Sequence, residues 1–149
     1  MVKKAMLFLG VLLIASVFAY AEDKFTVSGE VTIQYDYDGD IYICLLTMEE
    51  LRVFIISGHE LSESPCKIIQ MNTDLKKAGK VSFRFDNIPK GTYCVFTYWD
   101  VNMNGEVDRI GYDFNEPWGS YKEDISRVPH WGIIKFDLEK NITGITIKM

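Results

Sequence analysis

The sequence predicts an all-β fold, an antiparallel Greek-key β-sandwich of about seven strands. Three observations lead there. Apolar and polar residues alternate with a period of two in several short segments. Gly, Pro, Asn and Asp turns separate those segments, and no window of about 11 residues or more carries a helical stripe.

From Phe25 to Tyr35 the residues Phe25, Val27, Val31, Ile33 and Tyr35 alternate with Thr26, Ser28, Glu30, Thr32 and Gln34, the pattern of a half-buried strand. The turn-formers Asp36 to Asp40, with Gly39, end it. Residues 41–47 are almost wholly apolar, which predicts a strand covered on both faces. In the next stretch, Met48 to Leu51 reads as a helical turn and Val53 to Ile56 as a short strand. Val81, Phe83 and Phe85 alternate with Ser82, Arg84 and Asp86. Ile88-Pro89-Lys90-Gly91 then turns the chain into Thr92 to Trp99, a hairpin-like pair. Two closing strands follow, around Ile134, Phe136 and Leu138 and around Ile145, Ile147 and Met149. Asn141-Ile142-Thr143 has the form of a glycosylation sequon, but its service as the turn before the last strand is explanation enough.

The first 21 residues read as a secretory signal peptide: Lys3 and Lys4, an apolar run from Ala5 to Phe18, then the small-residue signature Ala19-Tyr20-Ala21. That run is shorter than the ~20 residues a spanning helix needs. No cysteine stands directly after the cleavage point, where Glu22 lies, which argues against a lipid anchor. The expectation is a single domain over residues 22–149, secreted or periplasmic, with no stable membrane insertion. Removing Lys3 and Lys4 takes the formal charge from −5 to −7, so nucleic acid is excluded as a partner for want of a basic stripe. Three cysteines remain, Cys44, Cys66 and Cys94. At most one internal disulfide is possible, and its pairing stays open. No C-x-x-C motif occurs and His59 and His130 are far apart, which excludes a conventional zinc site.

The stretch that carries most chemistry is Asp100-Val101-Asn102-Met103-Asn104-Gly105-Glu106-Val107-Asp108. Calcium takes six to eight oxygens, and loops that wrap it offer them from positions one, three, five and nine and from the carbonyl at seven. Here those positions are Asp100, Asn102, Asn104, Asp108 and Glu106, with Gly105 at the sharp turn. The competing reading is a surface turn, which uses the same residue types. Position twelve is Gly111 rather than a bidentate glutamate, so Asp113, Glu116, water or a carbonyl would complete the shell.

Aromatic residues crowd between 93 and 131, among them every tryptophan of the chain. Most of such rings serve a core. Tyr112, Phe114 and Trp118, with Glu116 among them, lie outside the strand patterns and are the candidates for an exposed ligand-binding patch. Asp113, Glu116, Glu123 and Asp124 are the carboxylates that a hydrolase would use, yet no catalytic motif accompanies them, and the chain is expected not to be an enzyme.

Ile88-Pro89-Lys90-Gly91-Thr92-Tyr93, the strand into Trp99-Asp100, the Asp-x-Asn-x-Asn-Gly-x-x-Asp loop, Gly111 and Glu116-Pro117-Trp118-Gly119 together resemble an uncharacterised bacterial secreted family, domain of unknown function 2141. The resemblance covers roughly residues 25–149. It implies a small β-sandwich of prealbumin-like, or carboxypeptidase-regulatory-like, type with no known activity and no established ligand. The chain departs from that pattern at Trp99, where a histidine is common, and at Ser120-Tyr121-Lys122, where a Ser-Asn pair is usual. The expectation is therefore a non-catalytic extracytoplasmic binding or interaction domain with calcium in the Asp/Asn loop and a protein or glycan partner. The alternative is a carbohydrate-binding accessory module that uses the aromatic loop.

Overall fold

A strand as apolar as residues 41–46 has no face to give to water, so two layers must enclose it. The computed structural model, which describes residues 23–58, 64–110, 113–122 and 128–149, shows both layers. Its elements in chain order are β1 (Lys24–Thr32), β2 (Asp40–Leu46), α1 (Met48–Ser57), β3 (Cys66–Gln70), α2 (Thr73–Ala78), β4 (Lys80–Pro89), β5 (Gly91–Asp100), β6 (Arg109–Ile110), β7 (Asp113–Phe114), β8 (Trp118–Ser120), α3 (Trp131–Ile134), β9 (Phe136–Leu138) and β10 (Ile142–Lys148). One sheet runs β10-β1-β4 and the other β3-β2-β5-β8, with β9 also pairing with β5; β6 and β7 form a short ribbon. The all-β sandwich predicted from the sequence is the fold observed.

Between the sheets, Val27, Val31, Val81, Phe83, Phe85, Ile145 and Ile147 meet Ile41, Ile43, Leu45, Val95 and Trp99. The reverse face of β2 and β5 carries Tyr42, Cys44, Leu46, Cys94, Phe96 and Tyr98, and Leu51 and Phe54 of α1 close over it. Both faces of β2 are thus covered, as its composition requires.

Four local expectations change. Val53–Ile56 is not a strand but the second half of α1. Thr47 and Glu50 form a capping box at its start, Gly58 ends it in the left-handed conformation, and Leu51 and Phe54, three apart, face the sheet. The strands on either side of Lys90 are not a hairpin. β4 pairs with β1 and β5 with β2, so that turn carries the chain from one sheet to the other. The sheets are not wholly antiparallel, because β1 pairs with β10 in parallel. There the backbones approach closely: a Cβ on Gly29 would run into the carbonyl of Ile145. Finally, Ile134 belongs to the short helix α3 rather than to the strand after it.

The open question of cysteine pairing resolves to Cys44–Cys66. Cys66 opens β3 directly opposite Cys44 on β2, so the bond ties an edge strand to its neighbour. Cys94 is free and wholly buried, and burial pushes its thiol up to about 12. It acts as a small core residue. Asn141, in the turn before β10, accepts from Thr26 N at 2.9 Å and so fastens that turn to β1.

Two outcomes follow from these contacts. Thr47→Ala removes the hydroxyl that accepts from Glu50 N and should cost about 1 kcal/mol, read as a fall of a few degrees in melting temperature. Burial raises the Glu50 carboxyl, but hydrogen bonds from the Thr47 side chain and backbone and from Ser64 outweigh it and hold the group below its ordinary 4.5. Its contribution is therefore present above that value and lost as pH falls through the lower folded value. Melts of Glu50→Gln against wild type should show less acid sensitivity in that window.

Thiol titration should find no reactive cysteine in the native protein and one, Cys94, after denaturation without reductant. The bond spans 22 residues, so reduction should remove about 3 kcal/mol and leave the sandwich folded.

Candidate functional site at the Asp100 loop

β5 ends at Asp100, and with it the apolar run ends. The side chain of Asp100 shares the face of Phe96 and Tyr98 by strand alternation, and it is 1% exposed. A carboxylate so placed needs donors, and the loop beyond it supplies them. Oδ1 accepts from Asn104 N at 3.1 Å and Oδ2 from Gly105 N at 2.7 Å. To bring those amides round, Met103 and Gly105 take positive φ, 58° and 79°. Glycine tolerates that conformation at once; at Met103 it is held against preference.

The amide side chains continue the pattern. Asn102 Oδ1 accepts from Asn104 N at 3.1 Å and Asn104 Oδ1 from Glu106 N at 2.9 Å, while their Nδ2 groups donate to Asp108 Oδ2 at 2.6 Å and Oδ1 at 3.0 Å. Asn102, Asn104 and Asp108 therefore converge on one point, with Asp100 behind the backbone they share. Glu106 enters through its main chain, and its side chain is exposed. The five residues expected from spacing alone do build one loop.

Glu116 clamps that loop from outside. Its Oε1 accepts from Val101 N at 2.7 Å and its Oε2 from Asp108 N at 3.1 Å, joining the way in to the way out. It is 7% exposed, and burial raises its carboxyl above the ordinary value, with the charges of Asp100 and Asp108 adding to the rise. Other contacts fix the loop to the body: Val107 packs in the core beneath α1 and its N donates to the Gly58 carbonyl at 3.0 Å. Gly39, at φ 110°, lies where a Cβ would strike the Asp100 carbonyl.

Charge is concentrated here. Across the sheet Asp40 stands opposite Asp100, and its Oδ1 is buried with no hydrogen-bond partner among the described residues. Among those residues no ion pair reaches Asp40, Asp100, Asp108 or Glu116. No three of the described His, Cys, Asp and Glu residues group as a metal would need. A cation here would depend on the Asn102 and Asn104 amide oxygens and on a main-chain carbonyl as well as on carboxylates.

Of the aromatic candidates, Phe114 and Trp118 are half-buried, their rings 6.1 Å apart, and both lie against Phe96, at 6.1 and 5.8 Å. Arg109 stacks over Phe114 at 5.3 Å and donates to the Phe54 carbonyl. Tyr112 and Gly111 lie outside the described residues, as do His59, Glu123, Asp124 and the expected signal peptide.

The sequence offers Glu116 as a ligand to complete the shell, as a member of the aromatic patch and as a hydrolase carboxylate, but carries no signal for its part as the clamp on two main-chain amides of the loop. Tyr35 and Tyr37 form a half-exposed aromatic pair beside the loop, their rings 5.5 Å apart. Alternation had placed Tyr35 on the inward side of the first strand, but β1 stops at Thr32.

No curated protein matches the chain, and no solved structure does. The loop and the Glu-Pro-Trp-Gly block that build this rim, and the Ile88–Tyr93 turn at the far end of β5, all lie within residues 30–146, which match the family model described as an uncharacterised protein conserved in bacteria, DUF2141; the chain belongs to that family.

Proposed function

We propose that this protein is a non-catalytic, extracytoplasmic binding domain whose Asp100–Asp108 loop takes up calcium. The observation that carries the reading is the convergence of Asn102, Asn104 and Asp108 in a loop folded around the buried Asp100 carboxylate. Negative charge without a cationic partner, here Asp100, Asp108, Glu116 and the neighbouring Asp40, favours a hard cation. The Cys44–Cys66 disulfide and the apolar leader support an oxidising compartment outside the cytoplasm.

Uptake has a cost that sets its strength. Asn102 and Asn104 now turn their NH2 groups toward Asp108, and an ion in that place requires both amides to rotate their oxygens inward. The backbone bonds at Asn104 N and Glu106 N are given up in the exchange. With that cost and few carboxylates, affinity falls at the weak end, ~10⁻⁴ to 10⁻³ M, where extracellular modules operate. Glu116 is not placed for acid–base catalysis in this reading, since it spends both oxygens on the backbone.

The test is a thermal melt with calcium or chelator at constant ionic strength, backed by calorimetric titration. Binding to the native state adds about 1.4 kcal/mol at ten times Kd, a rise of a few degrees. Asp100→Ala should lower stability in chelator by roughly 2 kcal/mol, because two loop amides lose an ionised acceptor, and should abolish the calcium-dependent rise. Asp36→Ala, in another acidic turn, should keep that rise. Wild type showing neither shift nor heat at millimolar calcium would defeat the calcium reading.

A further inference from the structure

We propose that the groove centred on Tyr35, beside the Asp100 loop, binds a neutral glycan chain. The proposal rests on the reading of a binding domain, and it stands without the ion. Tyr35 and Tyr37 follow β1 in the connection to β2 and are 47% and 40% exposed, their planes within 19° of each other. They are not loose rings. Tyr37 meets the wholly buried Trp99 edge-on at 5.6 Å, and Trp99 in turn donates through Nε1 to the Asp38 carbonyl at 3.1 Å. Two phenol rings kept partly in water, Tyr37 braced on the core and Tyr35 stacked on Tyr37, make a preorganised face.

Tyr35 is shared by two depressions. One, of about 560 Å³, is walled by Tyr37, Asn102, Asp108, Asn115 and Glu116. The other, of about 520 Å³, is walled by Asp36, Thr73, Lys76 and Lys77. Each falls within the usual size of a small-ligand site. The surface is thus an aromatic ridge with a polar hollow on either side.

Charge decides the class of occupant. One hollow has carboxylates and the other lysines, so a polymer of a single sign would be repelled at one end. Most of the charged groups are also engaged within the protein. Both oxygens of Glu116 hold backbone amides, Asp108 holds two side-chain amides, and Lys76 lies 3.1 Å from Asp36 and 2.7 Å from Asp38. What remains available is the ring faces, with exposed Asn115, Thr73 and Lys77 beside them. A sugar ring has the matching chemistry: an apolar C–H face to lay on a phenol and a rim of hydroxyls for amide and hydroxyl partners.

The test is calorimetric titration of the folded protein with cellohexaose, xylohexaose, laminarihexaose and chitohexaose, each in chelator and again in calcium. At least one should bind wild type in chelator. Tyr35→Ala should weaken that binding about tenfold or more, about 1.4 kcal/mol, while Tyr35→Phe retains it. Tyr35 is exposed, so the Ala variant should fold, which circular dichroism and an unchanged calcium response would verify. Binding by none of the four chains at millimolar concentration, or equal binding by Tyr35→Ala, would overturn the proposal. Glycan binding with no calcium shift defeats only the ion, and a calcium shift without glycan binding defeats only the groove.

Discussion

The β2–β5 pair, apolar on both faces, is the constraint from which the rest of the molecule follows. Its seven rungs run from Asp40 opposite Asp100 to Leu46 opposite Cys94. One face requires β1, β4 and β10, the other requires α1, and the outcome is a sandwich with a helix laid on its back. A strand with one polar face has its register set by which side meets water. Here polarity cannot decide, because both sides are apolar. The acidic rung at the end does: a slip would carry the buried Asp100 carboxylate away from the Asn104 and Gly105 amides that hold it, and a buried carboxylate without donors is costly. The residues that mark the limit of the core are therefore also those that begin the site.

That origin explains why the loop is firm although it is made of turn residues. Asp100 is anchored by the last rung of β5, Val107 by the core under α1, and both ends of the loop by Glu116. Rigid scaffold at three points leaves the side chains of Asn102, Asn104 and Asp108 as the parts free to rearrange. A loop with its backbone already folded needs only side-chain rotation to exchange internal donors for another ligand.

Much of this was legible in the chain. Period-two alternation found the long strands, and the Asp/Asn/Gly spacing found the loop, because both are local patterns read directly from neighbouring residues. Of α1 only the first turn, Met48 to Leu51, is legible: in its second half Val53, Phe54, Ile55 and Ile56 together obscure the 3.6-residue period. The Thr47-x-x-Glu50 box was the available signal. The sheet-crossing at Lys90 had no local signature, since a tight turn between two alternating strands looks the same whether they pair or part. Nor did the cysteine pairing, which depends on the β2–β3 register, or the brace of Tyr37 on Trp99, 62 positions apart in sequence.

The parallel pairing of β1 with β10 has a consequence for how the protein comes to be folded. β1 is the centre of its sheet, yet one of its edges stays open until residues 142–148 are available to close it. Contacts that span nearly the whole chain form late and slowly, because the intervening loop must be closed before they contribute. During synthesis the emerging chain thus lacks the strand that completes its first sheet. The order of synthesis and the order of strand pairing are opposed, and the first strand made waits for the last.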